Sequence, residues 1–368
     1  MTEDRGYSTP VIKYLGSKRT LVPVLGAIAR AVPARTALDL FSGTTRVAQE
    51  LKRGGADVVA VDVATYSELL GRCFIATDAA TVDHAAVGSA LEALSGLPGE
   101  RGYFTRTFCE QARFFQPKNG ARVDAIRAAI EDGYAGTALY PILLTSLMLA
   151  ADRVDSTTGV QMAYLKQWAP RSYRDLELRM PELLPGPGRV IRGDALLVLG
   201  ELDRVDLAYI DPPYNQHRYF TNYHVWETLV RWDAPAHYGV ACKRTDSRAA
   251  ETKSVFNRKR EMPAALREVL TRVAADVVVV SYNDEAWVTP AEICQWLRDA
   301  GHPEVRMLGF DSKRYVGAQI GIHGPHGRRV GTVSHLRNTE YLVIAGSTDV
   351  VEAAVAAALT CRPAELAS

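Results

Sequence analysis

The sequence predicts an α/β fold: a doubly wound, mostly parallel seven-stranded sheet with a mostly helical inserted region. Three observations carry that expectation. Short apolar runs, bounded by polar or small residues, alternate with stretches of helical periodicity. Several of the runs close on an acid or a small residue, as strands do where a parallel sheet presents its ligand edge. From about residue 67 to residue 187 the alternation stops, and helix-like stretches replace strand signals.

The first strand reads over residues 36–41, Thr36-Ala37-Leu38-Asp39-Leu40-Phe41, with a helical pattern behind it at 45–54. The second covers 58–62 and ends on Asp62. Such near-continuous apolar runs suit strands buried on both faces. The inserted region holds helix-like stretches at 85–94, 121–133 and 138–151, and closes on the turn-rich Pro181, Pro185, Gly186, Pro187 and Gly188. Strands resume at 189–194 and 205–210. A helix is expected at 262–275, a strand at 276–282, and a helix at 290–300 with Thr289 as its cap and Pro290 in its first turn. Runs at 304–310 and 341–345 complete the seven strands, and the Ala/Val-rich stretch 349–359 reads as a terminal helix. Residues 1–66 and 188–348 thus form the sheet domain, 67–187 the insertion, and 349–368 a C-terminal helix and tail.

With 368 residues and 47% apolar content, the chain is long enough for one large α/β domain plus a smaller unit. No apolar run approaches the roughly 20 residues of a membrane span. The polar start, Met1-Thr2-Glu3-Asp4-Arg5, argues against a secretory signal. Five scattered cysteines without a C-x-x-C pair fit a reducing cytoplasm, so a cytoplasmic location is expected. Net charge is only +1, but it is unevenly spread. Residues 231–261 hold eight Lys/Arg against four acids, and 311–337 hold five against Asp311 alone. Either cluster could face phosphates or simply solvent. His323, His326 and His335 lack acidic or cysteine partners at metal-site spacing, so no metal is expected.

The chemistry concentrates in Asp211-Pro212-Pro213-Tyr214, directly behind the strand at 205–210. Two prolines stiffen the turn and remove two backbone donors, and Asp211 is pushed toward an extended conformation by the proline after it. A carboxylate, a carbonyl and an aromatic face in one rigid corner suit a planar base with an exocyclic amino group. That amino group would donate to the carboxylate and to the Pro212 carbonyl while its ring stacks on Tyr214. Asp39-Leu40-Phe41-Ser42-Gly43-Thr44 leaves the first strand through small residues that let a ligand approach the backbone. It lacks the G-x-G-x-x-G of a pyrophosphate loop. Asp62 stands where an acid meets ribose hydroxyls in a doubly wound sheet.

Together these residues resemble the S-adenosylmethionine-dependent DNA adenine-N6 methyltransferases, specifically the Dam-like subgroup. The likeness rests on Lys13-Tyr14-Leu15-Gly16-Ser17-Lys18, on 39–44, on Asp62, on Arg192-Gly193-Asp194-Ala195, on 211–214, on 215–233 with Asn222-Tyr223-His224-Val225-Trp226-Glu227-Thr228-Leu229, and on Val280-Ser281-Tyr282-Asn283-Asp284. It implies a Rossmann-like sheet and S-adenosyl-L-methionine as cofactor. Cofactor contacts would come from Tyr14, Gly16, Lys18, Asp39, Phe41, Gly43, Thr44, Asp62, Asp194 and Asp211. Asp211, Pro212, Pro213 and Tyr214 would be catalytic. Tyr219, Phe220, Asn222 and Tyr223 would meet the flipped base, and Lys243, Arg244, Arg258 and Lys259 the phosphates of double-stranded DNA. By family order the insertion holds target-recognition elements, and a cognate restriction or defence-system partner is left open. Thr45 departs from the pattern by standing where the family often has a second glycine. Cytosine-N4 methylation, RNA or protein-glutamine methylation, and a non-catalytic DNA-binding module remain the alternatives.

Overall fold

A computed structural model describes residues 11–16, 18–162, 167–213, 216, 218–284, 286–313, 337–362 and 365–367. The main sheet contains β1 (Thr36–Asp39), β2 (Asp57–Asp62), β3 (Gly188–Arg192), β4 (Val205–Ile210), β7 (Ala275–Asn283), β8 (Glu304–Lys313), β9 (Arg337–Gly346) and β10 (Glu365–Ala367); a separate two-stranded ribbon pairs β5 (His237–Tyr238) with β6 (Lys243–Arg244). The main-sheet order is β10-β8-β9-β7-β4-β1-β2-β3. Strands β3, β2, β1, β4 and β7 are mutually parallel, whereas β9 runs antiparallel to both β7 and β8. The chain winds outward in opposite directions from the β1/β4 pair. That pair is therefore the switch point, where an open α/β sheet leaves a crevice beyond its strand ends.

The seven expected strands are present, and β10 adds a short eighth at the β8 edge. The tail was expected to be a helix without a strand; it is the helix Thr348–Cys361 followed by β10. Three residues are too few for a period to show in sequence. The ribbon and the helix Val22–Ala31 also lay outside the expectation. The helix expected at 262–275 stops at Arg272, because β7 begins at Ala275. Thr289 caps Pro290–Asp299 in a full capping box with Glu292, whose side chain accepts from the Thr289 N–H at 2.8 Å.

Strand residues alternate between two cores. Ala37, Val58, Ala60, Leu207, Tyr209, Val277 and Val279 face one side, and Leu38, Val59, Val61, Ala208, Ile210, Val278 and Val280 the other. The second side is covered by Met262–Arg272 and Pro290–Asp299. The first is continuous with Phe74, Phe104, Phe108, Phe115, Leu143 and Leu147 of the region between β2 and β3, all 0% exposed. That region is helical, with His84–Ser95, Pro117–Tyr134 and Tyr140–Arg153 as its longest members. Each fully buried large apolar side chain contributes about 1.5–3 kcal/mol. The insertion is thus held to the sheet by shared core rather than by a linker. Among the described residues, no helix is long and apolar enough to cross a membrane.

Candidate active site

Parallel pairing brings the ends of β1, β2, β3 and β4 to one edge of the sheet. Past them lies a cavity of about 210 Å³. Twelve of the expected residues line it: Tyr14, Gly16, Lys18, Phe41, Gly43, Asp62, Asp194, Asp211, Pro212, Pro213, Tyr219 and Phe220.

Each wall has a local cause. Gly43 N donates to Asp62 Oδ2 at 2.8 Å and Ala64 N to Oδ1 at 2.9 Å, so the β2 acid fixes both its own loop and the loop after β1. Burial raises its pKa. Gly43 has φ +49°, and a Cβ there would stand 3.2 Å from the Tyr14 ring. The glycine therefore permits both the turn and the close approach. Tyr14 stacks on Tyr223 at 4.6 Å and on Tyr219 at 5.2 Å between centroids, forming an aromatic floor. Asp194 caps the turn after β3, accepting from Leu196 N at 2.9 Å. Phe41 meets Phe256 edge-on at 5.0 Å.

Asp211 lies at the switch point with a side chain 18% exposed, and Lys18 Nζ stands 3.2 Å from its Oδ1. Burial pushes the Asp211 carboxyl up to about 6; the Lys18 ammonium opposes that shift and Glu340 adds to it. Asp39, 1% exposed, is pushed up to about 8 chiefly by burial.

Some expected contacts are placed differently. Asp39 and Thr44 are buried beneath the cavity and do not line it. Asp39 Oδ2 instead accepts from Ala48 N at 3.0 Å, bracing the first turn of Arg46–Arg53. Thr45, in the glycine's usual place, adopts φ +61°, a left-handed conformation costly for a β-branched residue. Its hydroxyl receives Gln49 Nε2 at 3.0 Å. Tyr223 is 1% exposed and backs Tyr14, its hydroxyl accepting from Leu15 N at 2.5 Å. Asn222 is buried as well, its carbonyl accepting from Gln161 N. Neither lines the cavity: Tyr219 and Phe220 take that side of the turn, and Asn222 and Tyr223 are buried. Arg244 is 2% exposed and bonds Asp233 and Asp246, each at 2.7 Å, so it braces the loop and presents no surface to phosphate. Lys243, half-buried on β6, and the exposed Arg258 and Lys259 lie outside the cavity. Tyr214, Ser17 and the three histidines lie outside the described residues.

The cavity also holds residues not expected in the cofactor or base site: Arg218, and from the basic stretch 231–261 Arg231 and the run 251–254 with Phe256 and Asn257. Phe256, an aromatic inside a polar loop, was the available signal. Arg231 lies over the Phe220 ring at 5.4 Å and pairs with Glu227 at 2.8 Å. Glu227 is fully buried and also accepts from Thr65 N and Thr65 Oγ1 at 3.1 and 2.6 Å. The donor set fits S-adenosylmethionine. Apolar walls at Leu40, Phe41, Val63 and Phe256 suit a nucleoside, half-buried Asp62 and Asp194 can accept from its hydroxyls and amine, and the Asp211 carboxylate in the same lining suits a neighbouring sulfonium cation.

Comparison with known proteins agrees with this geometry. The model of a family described as D12 class N6 adenine-specific DNA methyltransferase matches residues 14–289. The chain is 26% identical over 297 residues to Type II methyltransferase M.NlaIII of Neisseria lactamica, which covers 77% of this chain and 86% of that protein. It is 27% identical over 309 residues to modification methylase StsI of Streptococcus sanguinis, covering 78% of this chain. With Type II methyltransferase M.FokI of Planomicrobium okeanokoites it shares 26% identity over 326 residues, 83% of this chain. It spans about half the length of the latter two, 46% and 50%. The chain belongs to the D12 class of N6 adenine-specific DNA methyltransferases, a family that uses S-adenosylmethionine.

Proposed function

We propose that this chain methylates the N6 amino group of an adenine flipped out of double-stranded DNA at a specific sequence. One observation carries the reading: the rigid Asp211-Pro212-Pro213 corner lines the same cavity as Asp62 and Asp194. A base inside a duplex cannot reach such a recess, so it must be extruded. Asp62 and Asp194 hold the nucleoside of the cofactor, while Phe41 and Phe256 enclose it. When bound, S-adenosylmethionine supplies an electrophilic methyl group carried on sulfur.

Asp211 and the Pro212 carbonyl accept the two amino hydrogens. This turns the nitrogen lone pair out of conjugation with the ring and toward the methyl donor. The Asp211 carboxylate also faces the positive charge that develops on nitrogen as the methyl group leaves sulfur, and the surplus amino proton passes to that carboxylate or to water. Tyr214 stacks on one face of the ring, and Tyr219 or Phe220 closes the other. Positioning of this kind can supply several kcal/mol. Arg258, Lys259 and Lys243 meet DNA phosphates, and the region 67–187 contributes target recognition. The relatives' names, type II methyltransferase and modification methylase, support a restriction endonuclease of the same target site as the partner.

Purified protein, duplex DNA and methyl-tritiated S-adenosylmethionine test the reading. Wild type is expected to label DNA. Asp211→Ala is expected to bind the cofactor and label nothing, whereas full labelling by that variant would defeat the assignment. Tyr214→Ala should raise the KM for DNA more than Tyr214→Phe does, because stacking needs only the ring.

A further inference from the structure

Lys18 is buried, 7% exposed, between two carboxylates from distant parts of the chain. Its Nζ is 3.2 Å from Asp211 Oδ1 and 3.3 Å from Glu340 Oε2. The ammonium thus bridges the two carboxylates: it donates to Glu340 Oε2, and it acts on Asp211, whose Oδ1 is buried, by hydrogen bonding and by charge. Glu340 arrives through sheet topology: β9 runs antiparallel to β7 and sets Glu340 opposite Asn283, at the edge where β4 delivers Asp211.

This arrangement raises a conflict that the proposed reaction must resolve. An ammonium held firmly by Asp211 would compete with the amino group of the base for the same carboxylate. One with no other partner would have to leave a buried position uncompensated, at high cost. We propose that Glu340 is a positioning residue for methyl transfer: it holds the Lys18 ammonium and so leaves the Asp211 carboxylate able to accept the amino hydrogen of the target base. The inference rests on the proposed role of Asp211 and assigns a task to a residue on the antiparallel part of the sheet, outside the motifs that carry the family resemblance. Among the described residues, Lys18, Glu340, Tyr209 and Asp39 are the titratable groups that act on Asp211.

The test is Glu340→Gln, read by single-turnover methylation from pH 5 to 9. Without Glu340 the ammonium is drawn more strongly to Asp211. The plateau rate is expected to fall roughly tenfold. The acid limb should move to lower pH by about half a unit or more, because a negative neighbour has been removed. Glu340→Asp, which keeps the charge, should restore much of the rate. A variant that merely disturbs packing would lower the rate without moving the limb. A second readout is ¹³C-carboxyl NMR of Asp211, whose midpoint should move to lower pH in Glu340→Gln and stay in place in Glu340→Asp. An unmoved Asp211 midpoint, or an unmoved limb in a folded Glu340→Gln protein, overturns the inference. If Glu340→Gln behaves as wild type while Asp211→Ala is inactive, only the role of Glu340 fails. If Asp211→Ala is active, the reading beneath it fails.

Discussion

Asp211 illustrates how burial can prepare a side chain for its reaction. Its carboxyl is pushed up to about 6 chiefly by desolvation, against an ordinary value of 3.8. The ionised form is the stronger acceptor of the amino hydrogen and the one that faces the developing positive charge, so methylation should decline as pH falls through about 6, as a pH–rate profile would show. The stability linkage has the opposite sense. A carboxyl whose folded pKa is raised stabilises the fold most below its unfolded value, and that contribution is lost as pH rises toward 6. At pH 7.5 Asp211→Asn should therefore be inactive yet more stable than wild type by roughly 1–3 kcal/mol in urea unfolding. Lower stability would show that Lys18 compensates the buried charge more fully than this. Asp62, Asp194 and Asp211 were legible in the sequence because each follows a strand signal. Asp39 follows one too, yet its side chain turns under the loop to the backbone of the next helix, a choice that only three-dimensional packing decides. Glu340 gave no local signal, since its contact with Lys18 depends on antiparallel register.

At the scale of elements, charge within a loop proved a poor guide to what the charge touches. Arg244 and Lys259 both belong to the basic stretch 231–261, yet Arg244 is buried between two aspartates and Lys259 is exposed. Their substitutions should separate cleanly. Arg244→Ala leaves two carboxylates facing each other and removes a packed stem, so stability should drop by roughly 2–4 kcal/mol in thermal or chemical unfolding. Lys259→Ala should leave stability unchanged and reduce the salt slope of DNA binding by about 1. An unaltered slope would remove Lys259 from the phosphate contacts. The strands were legible to within a few residues because each is a short apolar run with clear bounds. The β5/β6 ribbon was not, because two residues per strand carry no period.

For the whole molecule, the parallel half of the sheet builds the cavity and the antiparallel half brings Glu340 to Lys18 in its lining. The doubly wound order was legible because strands and helices alternate on both sides of the insertion. The union of insertion and sheet in one core was not, since composition marks where a segment is helical but not what it packs against. Phe74, Phe104 and Phe108 belong to the same core as Leu207 and Val277. Excising residues 67–187 should therefore leave a sheet domain without cooperative unfolding by calorimetry, whereas a sharp transition would show that it folds alone. The central claim is that the Asp211 corner directs a methyl group to the amino nitrogen of adenine. Its most direct test is mass spectrometry of nucleosides from duplex DNA incubated with the protein and S-adenosylmethionine. The expected product is N6-methyladenine with wild type and none with Asp211→Ala; N4-methylcytosine, or undiminished N6-methyladenine from the variant, would contradict the claim.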